Sequence, residues 1–210
     1  MQWNARSIFP NRPDLESTLL SHDINIALIS ETWLRSDRNL SIPSYNIFRH
    51  DRGDGWGGVA IFVRRPIQCK EIPIPALGDR NIQRLAVQIW VGTFTFVCIV
   101  VYCAPRAVLD LSSWVPWLKC FTVPLIFCGD FNAHSPEWGG AYTDRAGRAL
   151  ESVISACGLI ILNDGSPTRI SSPDSRPAAV DVTAVSPILA SRVTWRLHCD
   201  PMGSDHWPIF

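Results

Sequence analysis

Short apolar runs recur along almost the whole chain and constrain its fold more than any other feature of the sequence. Eight of them have the length and composition typical of β-strands. These runs cover residues 24–30, 58–63, 85–91, 94–103, 123–128, 159–162, 179–184 and 193–197. So many strands must bury their apolar faces against one another, and we therefore expect two packed sheets.

Three segments have helical patterns. Residues 13–22 begin with a proline and place leucines on one face, which predicts a helix that starts at that proline. Residues 144–157 carry an apolar stripe, with Thr143 as the expected N-cap. Residues 109–121 also have a helical pattern, which Pro116 should break or kink. We expect these helices to flank the two sheets.

The composition favours a compact globular chain. Hydrophobic residues make up 47% of the 210 residues and charged residues 18%, which argues against disorder and favours one domain over residues 1–210. The 19 basic and 19 acidic residues cancel, which argues against a general polyanion binder but leaves room for a local basic rim. The candidates for such a rim are Arg35, Arg38, Arg49, Arg52, Arg64, Arg65, Arg145, Arg148, Arg169 and Arg176.

The cysteines and the absence of targeting signals indicate the cellular compartment of the protein. Seven cysteines without a Cys-x-x-Cys pair indicate neither a disulfide framework nor a structural zinc site. They are typical of reduced core residues, so we expect an intracellular protein. The sequence has no signal peptide and no apolar stretch approaching the roughly 20 residues that span a bilayer. We therefore expect no membrane partner.

Polar side chains follow several of the predicted strands. The run 123–128 is followed after one glycine by Asp130 and Asn132, whose side chains would share one side if the chain stayed extended. Glu31 and Tyr102 end two other apolar runs. Taken singly, the glutamate is equally compatible with a salt bridge and the tyrosine with a core position. A carboxylate and an amide at one strand end suggest hydrolytic chemistry.

A second group of candidates lies near the end of the sequence. Asp181 sits inside an apolar run, and a buried carboxylate needs a partner, for which His206 is the plausible choice. Such a pair would fix the imidazole tautomer and raise the histidine pKa above its usual value of about 6.5. Asp205 and His206 are adjacent, so on an extended segment their side chains would face opposite sides.

The ordered set of motifs resembles the endonuclease/exonuclease/phosphatase superfamily. The matching positions are Asn4, Ser30-Glu31-Thr32, Val101-Tyr102, Gly129-Asp130-Phe131-Asn132, Thr168, Val180-Asp181 and Ser204-Asp205-His206. More narrowly, residues 2–7, 129–135 and 162–169 are similar to the apurinic-type endonuclease domain of non-LTR retrotransposons. That domain nicks chromosomal DNA so that a linked reverse transcriptase can prime on the exposed end.

The resemblance implies an α+β fold, a four-layer αββα sandwich of two mainly antiparallel sheets, and a magnesium-dependent nuclease. Mn²⁺ is an alternative to Mg²⁺. The implied metal ligands are Glu31, Asn4 and Asp205. The implied substrate-binding residues are Tyr102, Asn132, Thr168, Arg169 and Ser204. The implied partners are double-stranded DNA and a covalently linked reverse transcriptase, which places the protein in the nucleus.

The remaining implied roles concern proton transfer. Asp130 would position or deprotonate the attacking water, and Asp181 would orient His206, which would stabilise charge on the phosphate. Whether Asp130 or the Asp181–His206 pair is the general base stays open at this point. His134 follows the Asn132 motif but is placed outside the catalytic set. Among the nine tryptophans, Trp56 and Trp138 are the two that could reach DNA.

Other readings use the same residues. Within the superfamily, the chain could be an abasic-site repair endonuclease, a general deoxyribonuclease, or a phosphatase of phosphoinositides or a sphingomyelinase. The extended signature of the inositol phosphatases is not found around Asp181. A non-catalytic DNA-binding remnant should have lost some of the catalytic set, and all of that set is present. The sequence therefore favours an active nuclease.

Overall fold

The computed structural model describes residues 1–75, 79–171 and 177–210 and has ten strands and four α-helices in that part of the chain. The strands are β1 (Gln2–Asn4), β2 (Ile26–Ser30), β3 (Tyr45–His50), β4 (Val59–Arg64), β5 (Gln68–Glu71), β6 (Ile82–Val91), β7 (Phe94–Cys103), β8 (Leu125–Asp130), β9 (Ile160–Ile161) and β10 (Asp181–Val185). The helices are α1 (Ile8–Ser21), α2 (Leu111–Lys119), α3 (Arg145–Ala156) and α4 (Pro187–Ala190), with a 3₁₀ turn at Pro136–Trp138.

The strands form two sheets. The first has the order β1-β2-β4-β3 and the second the order β5-β6-β7-β8-β10-β9. Only the pairs β1/β2 and β7/β8 are parallel, and the other pairs are antiparallel. Both sheets are therefore mixed and mainly antiparallel.

Three apolar clusters hold four layers together. One lies between the sheets and includes Ile61 of β4 and Val100 of β7. A second packs the outer face of the first sheet on α1, and a third packs the outer face of the second sheet on α2 and α3. Strands buried on both faces read as continuous apolar runs, as β4 and β7 do. The architecture is the expected αββα sandwich.

The strand directions bring several polar residues to one edge of the sandwich. In the second sheet the carboxyl ends of β7 and β8 coincide, with Tyr102 opposite Asp130, and Asp181 at the start of β10 also faces Asp130. In the first sheet the end of β1 lies beside the end of β2, with Asn4 opposite Ser30. We call this edge, defined by Asn4, Glu31, Tyr102, Asp130, Asp181 and His206, the polar edge.

Several sequence-based element boundaries were wrong. The first helix begins at Ile8, and Pro13 lies inside it; the first-turn proline is Pro10, where a missing N–H costs little. Helix α2 continues through Pro116, because the buried face formed by Trp114, Trp117 and Leu118 offsets one lost hydrogen bond.

The caps and weakest strands also differ from expectation. Asp144, not Thr143, caps α3 by accepting a hydrogen bond from the Gly147 N–H. Residues 193–197 form no strand and contribute only a bridge from Leu197 to Ile209. The strands β1, β3 and β5 went unpredicted, because β1 has three residues and the other two are largely polar.

The cysteines form no disulfide among the residues that the structure describes. All seven cysteines are described, and all are free. Burial raises the pKa of the Cys98 thiol to about 12, which keeps it protonated and unreactive. Among the residues that the structure describes, no helix has the length and apolar character needed to cross a bilayer.

Candidate active site

The Asp181–His206 pair is the most tightly built part of the polar edge. The Nδ1 atom of His206 lies 2.7 Å from Oδ2 of Asp181, and both side chains are buried. The sequence-based expectation of this pair is confirmed. Burial alone would lower the pKa of His206, but the Asp181 carboxylate outweighs burial and raises that pKa to about 9. The imidazole is therefore charged at neutral pH, with Nε2 as its remaining donor.

Thr168 holds Asp181 in place. Its hydroxyl donates to Oδ2 of Asp181 at 2.7 Å and accepts from the backbone N–H groups of Val180 and Asp181, both at 3.1 Å. The side chain is fully buried. The expected contact of Thr168 with a phosphate oxygen does not fit this geometry, because a hydroxyl has one proton and Asp181 accepts it.

Ser204 has a similar internal role. Its hydroxyl donates to the backbone carbonyl of Asn4 at 2.7 Å and accepts from the His206 N–H at 3.1 Å. The expected substrate contact of Ser204 is therefore also replaced by a structural bond. That bond joins the segment that carries His206 to the end of β1.

Asp130 is a buried carboxylate with two donors. Its Oδ2 accepts from Nδ2 of Asn4 at 2.8 Å and its Oδ1 from the backbone N–H of Asn132 at 2.9 Å. Burial, and then the nearby Asp181 carboxylate, raise the pKa of Asp130 to about 7. A carboxylate whose pKa lies near neutrality is suited to accept a proton from water.

Asn132 does not extend the strand. Its φ is +44°, so the chain turns directly after Phe131, and its Nδ2 donates to the Cys103 carbonyl at 2.9 Å. The extended geometry that would place Asp130 and Asn132 on one side therefore does not persist. The second proton of the amide nitrogen remains available as a donor.

Glu31 ends β2 on the opposite sheet. Its φ is +49°, a conformation that costs energy for a residue with a side chain. Nδ2 of Asn4 donates to Oε1 at 3.0 Å and Nε1 of Trp33 donates to Oε2 at 3.0 Å. Because the same Asn4 nitrogen also reaches Asp130, the two carboxylates from the two sheets lie on either side of one amide.

Asn4 presents its nitrogen to this site. Its Oδ1 accepts from the backbone N–H of Arg6 at 3.0 Å. A metal would require the oxygen, so in this arrangement Asn4 orients carboxylates and does not offer a ligand atom. The predicted ligand role of Asn4 would need the amide to rotate.

Tyr102 lies close to the Glu31 and Asp130 carboxylates. Burial, and then the Glu31 and Asp130 charges, raise the pKa of its phenol far above the usual value of 10. The phenol therefore stays protonated and can serve only as a hydrogen-bond donor to an anion or as an acceptor. Gly57 makes room for its ring, since a Cβ there would lie 3.0 Å from Cε1 of Tyr102.

Asp205 lies at the rim and is paired with two arginines. Arg169 donates to its Oδ2 at 2.9 and 3.1 Å, and Nη1 of Arg6 lies 3.3 Å from the same atom. Burial would raise the pKa of Asp205, but the Arg169 hydrogen bond and the adjacent His206 charge keep it below its ordinary value. Sequence analysis missed Arg6, whose only sequence signal is its position two residues after Asn4.

The donor atoms of the polar edge fit a metal ion. Carboxylate oxygens of Asp130 and Asp181 and a ring nitrogen of His206 all lie within 4.8 Å of one another. Because the charged imidazole has only donors, the two carboxylates are the candidate ligands of this group. Oδ1 of Asp181 is buried without a hydrogen-bond partner in the described residues, and such an orphaned oxygen fits a cation or its bound water. The Glu31 carboxylate faces the same space through Asn4. Oxygen donors of this kind suit a hard divalent cation.

Only part of the predicted basic rim lies near this edge. Arg49 and Arg52 pair with Asp51 and Asp54, at 3.2 and 3.0 Å. Arg64 ends β4 at the opposite end of the sandwich, where it contacts Asp23, and Arg65 follows it there. Arg145 and Arg148 lie in the first turns of α3. Arg176 falls outside the described residues.

Two other aromatic expectations have different outcomes. Trp138 is fully buried, with Nε1 donating to the Ala133 carbonyl at 3.0 Å, so the expectation that it could reach DNA was wrong. Trp56 is 60% exposed. His134 stacks on Tyr142 with ring centroids 5.3 Å apart and takes no part in the polar edge.

Gly129, which precedes Asp130, gives a stability prediction. Its φ is +151°, and a Cβ at this position would lie 1.8 Å from the Val101 carbonyl oxygen. Since β7 and β8 are paired here and cannot separate locally, we expect Gly129→Ala to lower the free energy of unfolding by at least about 3 kcal/mol. Urea unfolding followed by circular dichroism would measure the change.

The control for this prediction is Gly92→Ala at the β6–β7 turn. Gly92 also has positive φ, +58°, but open space around it, so the cost should be about 1 kcal/mol. Equal costs for the two variants would contradict the close-approach explanation.

Comparisons with known proteins agree with the geometry. Residues 1–206 match the family model of the Endonuclease/Exonuclease/phosphatase family. The chain is 28% identical over 210 residues to an RNA-directed DNA polymerase from the mobile element jockey of Drosophila melanogaster, and 27% identical over 212 residues to a probable RNA-directed DNA polymerase from transposon BS of the same species. Each alignment covers 99% of this chain and 23% of the relative, so the chain spans about a quarter of the length of these proteins.

Solved structures share the fold. The endonuclease domain of TRAS1, a telomere-specific non-LTR retrotransposon, matches with a TM-score of 0.78 and 26% identity over 99% of this chain and 94% of that one. The AP endonuclease LMAP from Leishmania major matches with a TM-score of 0.80 and 15% identity, over 99% and 85% of the two chains. The second likeness is one of fold alone.

Proposed function

Because the chain belongs to the endonuclease/exonuclease/phosphatase family, we propose that it is the Mg²⁺-dependent endonuclease domain of a non-LTR retrotransposon. In this proposal it nicks double-stranded DNA by phosphodiester hydrolysis, and a covalently linked reverse transcriptase primes on the nick. The observation that carries the proposal is the polar edge, where a buried carboxylate of raised pKa, Asp130, meets the charged Asp181–His206 pair. The target DNA implies that the protein acts in the nucleus.

In this proposal Glu31 and Asp205 hold the metal, and the Asp130 carboxylate lies next to Glu31 across the Asn4 amide. A bound Mg²⁺ would supply Lewis-acid stabilisation of the charge on the phosphate. Support comes from the all-oxygen character of these side chains and from the orphaned Oδ1 of Asp181. Mg²⁺ keeps several waters and needs only one or two protein carboxylates, so a sparse ligand set suffices. Mn²⁺ is expected to substitute.

The side chains divide the hydrolytic reaction among them. Asp130 accepts the proton of the attacking water, whose oxygen bonds to phosphorus while the bond from phosphorus to the 3′ oxygen breaks. The departing 3′ oxygen takes its proton from solvent water. Nε2 of His206 donates to a nonbridging oxygen and stabilises the added charge. Asn132 holds the phosphate through an N–H, and Tyr102 does so through its O–H once a phosphate oxygen replaces Glu31 as its acceptor. The product strand then ends in a 3′ hydroxyl, the group that a polymerase extends.

Arg169 and Arg6 have a proposed role in binding. Both neutralise Asp205 in the absence of substrate and both are about half exposed. A phosphate of the bound strand can replace the carboxylate as their partner, since guanidinium groups bind either anion through paired N–H groups. DNA binding would then free Asp205 for the metal.

Nicking of supercoiled plasmid tests the metal requirement. We expect conversion to open circles with Mg²⁺ and none with EDTA. Glu31→Gln removes one charge from the proposed metal site, so the Mg²⁺ concentration for half-maximal nicking should rise at least about tenfold. Glu71→Gln, on the exposed edge strand β5, is the matched control and should leave that concentration unchanged.

The same preparations separate the alternatives. Release of inorganic phosphate from phosphoinositides, without plasmid nicking, would contradict a nuclease and favour the phosphatase reading. Cleavage restricted to abasic sites would favour a repair enzyme. Nicking that persists in EDTA would contradict the proposed metal dependence.

A further inference from the structure

An exposed group of aromatic and basic residues lies beside Glu31 and outside the polar edge. Phe9, Trp33, Arg35, Asp37 and Arg38 line a surface pocket of about 410 Å³, a volume within the range of small-ligand sites. Trp56 adjoins it, with its ring centroid 4.6 Å from that of Trp33. We call Phe9, Trp33, Trp56, Arg35 and Arg38 the aromatic shelf.

Trp56 is held in place but not buried. It contacts Trp33 edge to face at 70°, and its backbone N–H donates to Oδ1 of Asp54 at 3.0 Å. The next residue, Gly57, accepts a hydrogen bond from the Trp33 N–H at 2.9 Å. The indole nevertheless stays 60% exposed. A large aromatic ring that is fixed yet open to solvent is typical of a stacking surface.

The aromatic shelf touches the proposed metal site directly. Nε1 of Trp33 donates to Oε2 of Glu31 at 3.0 Å. Both residues have left-handed backbone conformations, with φ of +50° and +49°, and strain of this kind tends to be kept where function requires it. Because Trp33 bonds directly to Glu31, a group stacked on the aromatic shelf would lie next to the phosphate that is cleaved.

The charge of the aromatic shelf suits a nucleotide. Arg35 and Arg38 have no carboxylate partner within the stretches 1–75, 79–171 and 177–210, in contrast to the neighbouring Arg49 and Arg52. Asp37 offsets only one of the two charges. Arg35 lies against Gly55, the residue before Trp56, since a Cβ at Gly55 would come within 2.9 Å of the Arg35 Nε. Aromatic faces beside free guanidinium groups match bases beside phosphates.

We propose that the aromatic shelf binds an unpaired nucleobase of the DNA strand next to the cleaved phosphate, with Arg35 and Arg38 on the flanking phosphates. A base inside a duplex is already stacked on its neighbours, so only an unpaired base offers its face to Trp56. The protein therefore prefers duplexes that contain unpaired nucleotides near the cleavage position. The proposal rests on the proposed nuclease function, whose substrate it narrows.

Fluorescence anisotropy in EDTA, with two labelled oligonucleotides, tests the preference. One is a fully paired duplex and the other is the same duplex with a short unpaired bubble. The wild-type chain should bind the bubble more tightly. Trp56→Ala should weaken bubble binding roughly 5- to 100-fold and leave binding of the paired duplex within about twofold. Arg38→Gln should weaken both and lower the slope of log affinity against log salt by about 1.

Trp90→Ala is the matched control, because Trp90 pairs with Thr95 at the far end of the same two-sheet sandwich, roughly 23 Å along the strands from Tyr102. It should keep the preference. Equal binding of the bubble by Trp56→Ala and the wild type would overturn the proposal, as would an equal loss on both oligonucleotides. A wild-type chain that neither binds nor nicks DNA would instead refute the nuclease function.

Discussion

Asp130→Asn is expected to slow plasmid nicking by roughly 10²- to 10⁴-fold while leaving the fold intact. The substitution keeps the size of the side chain and one oxygen acceptor, but it removes the buried carboxylate whose pKa is raised to about 7. Without that carboxylate, the attacking water loses its proton acceptor. The initial rate of open-circle formation at saturating Mg²⁺ measures the effect.

Asp23→Asn provides the control for this substitution. Asp23 is an exposed carboxylate that contacts Arg64 at the end of the sandwich opposite the polar edge, so its nicking rate should match the wild type. Circular dichroism and urea unfolding should show that Asp130→Asn remains folded. A folded Asp130→Asn protein that nicks within about twofold of the wild-type rate would exclude Asp130 as the base.

His206→Gln is expected to slow nicking roughly 10²- to 10³-fold, the loss measured when one preorganised donor to a developing anion is removed. Asp181→Asn should have a similar effect, because Asp181 acts through the imidazole that it holds at 2.7 Å. The double variant should therefore lose little more than either single one. Losses that multiply would show that the two residues act independently.

The effect of His206→Gln on protein stability is a second test of the ion pair. The pKa of His206 is raised from 6.5 to about 9 on folding, so the folded state binds the proton more tightly than the unfolded state. This contribution to the free energy of unfolding is complete below pH 6.5 and disappears as the pH rises through about 9. His206→Gln should therefore cost more stability at pH 6 than at pH 9.5, as measured by urea unfolding in EDTA. A cost that does not change with pH would contradict the ion pair.

The predictability of the fold differs between its strands. Residues 94–103 were predicted as a strand with the bounds of β7, because a continuous apolar run is typical of a strand that is buried on both faces. Strands β3 and β5 contain Asn46, Arg49 and Lys70 among their residues. Their partners, not their own composition, place them in the sheets, and a single sequence does not show partners.

The predictability of the site also differs between its residues. The Asp181–His206 contact followed from the cost of burying a charge without a partner, which is a local argument. The roles of Thr168 and Asn132 depend on which acceptor lies nearest in space, and in the fold these are the Asp181 carboxylate and the Cys103 carbonyl. Arg6 contacts Asp205 and Trp33 contacts Glu31, each from a backbone conformation with positive φ. The residue types at these two positions do not indicate such a conformation.

The polar edge is closed by bonds between the two extremities of the sequence. Gln2 and Ile209 exchange backbone hydrogen bonds of 2.8 Å, and Ser204 donates to the carbonyl of Asn4. These bonds hold the segment that carries His206 against β1, which carries Asn4. Local opening of either segment would therefore separate the imidazole from the Asn4 amide and take the polar edge apart while most of the sandwich stays folded.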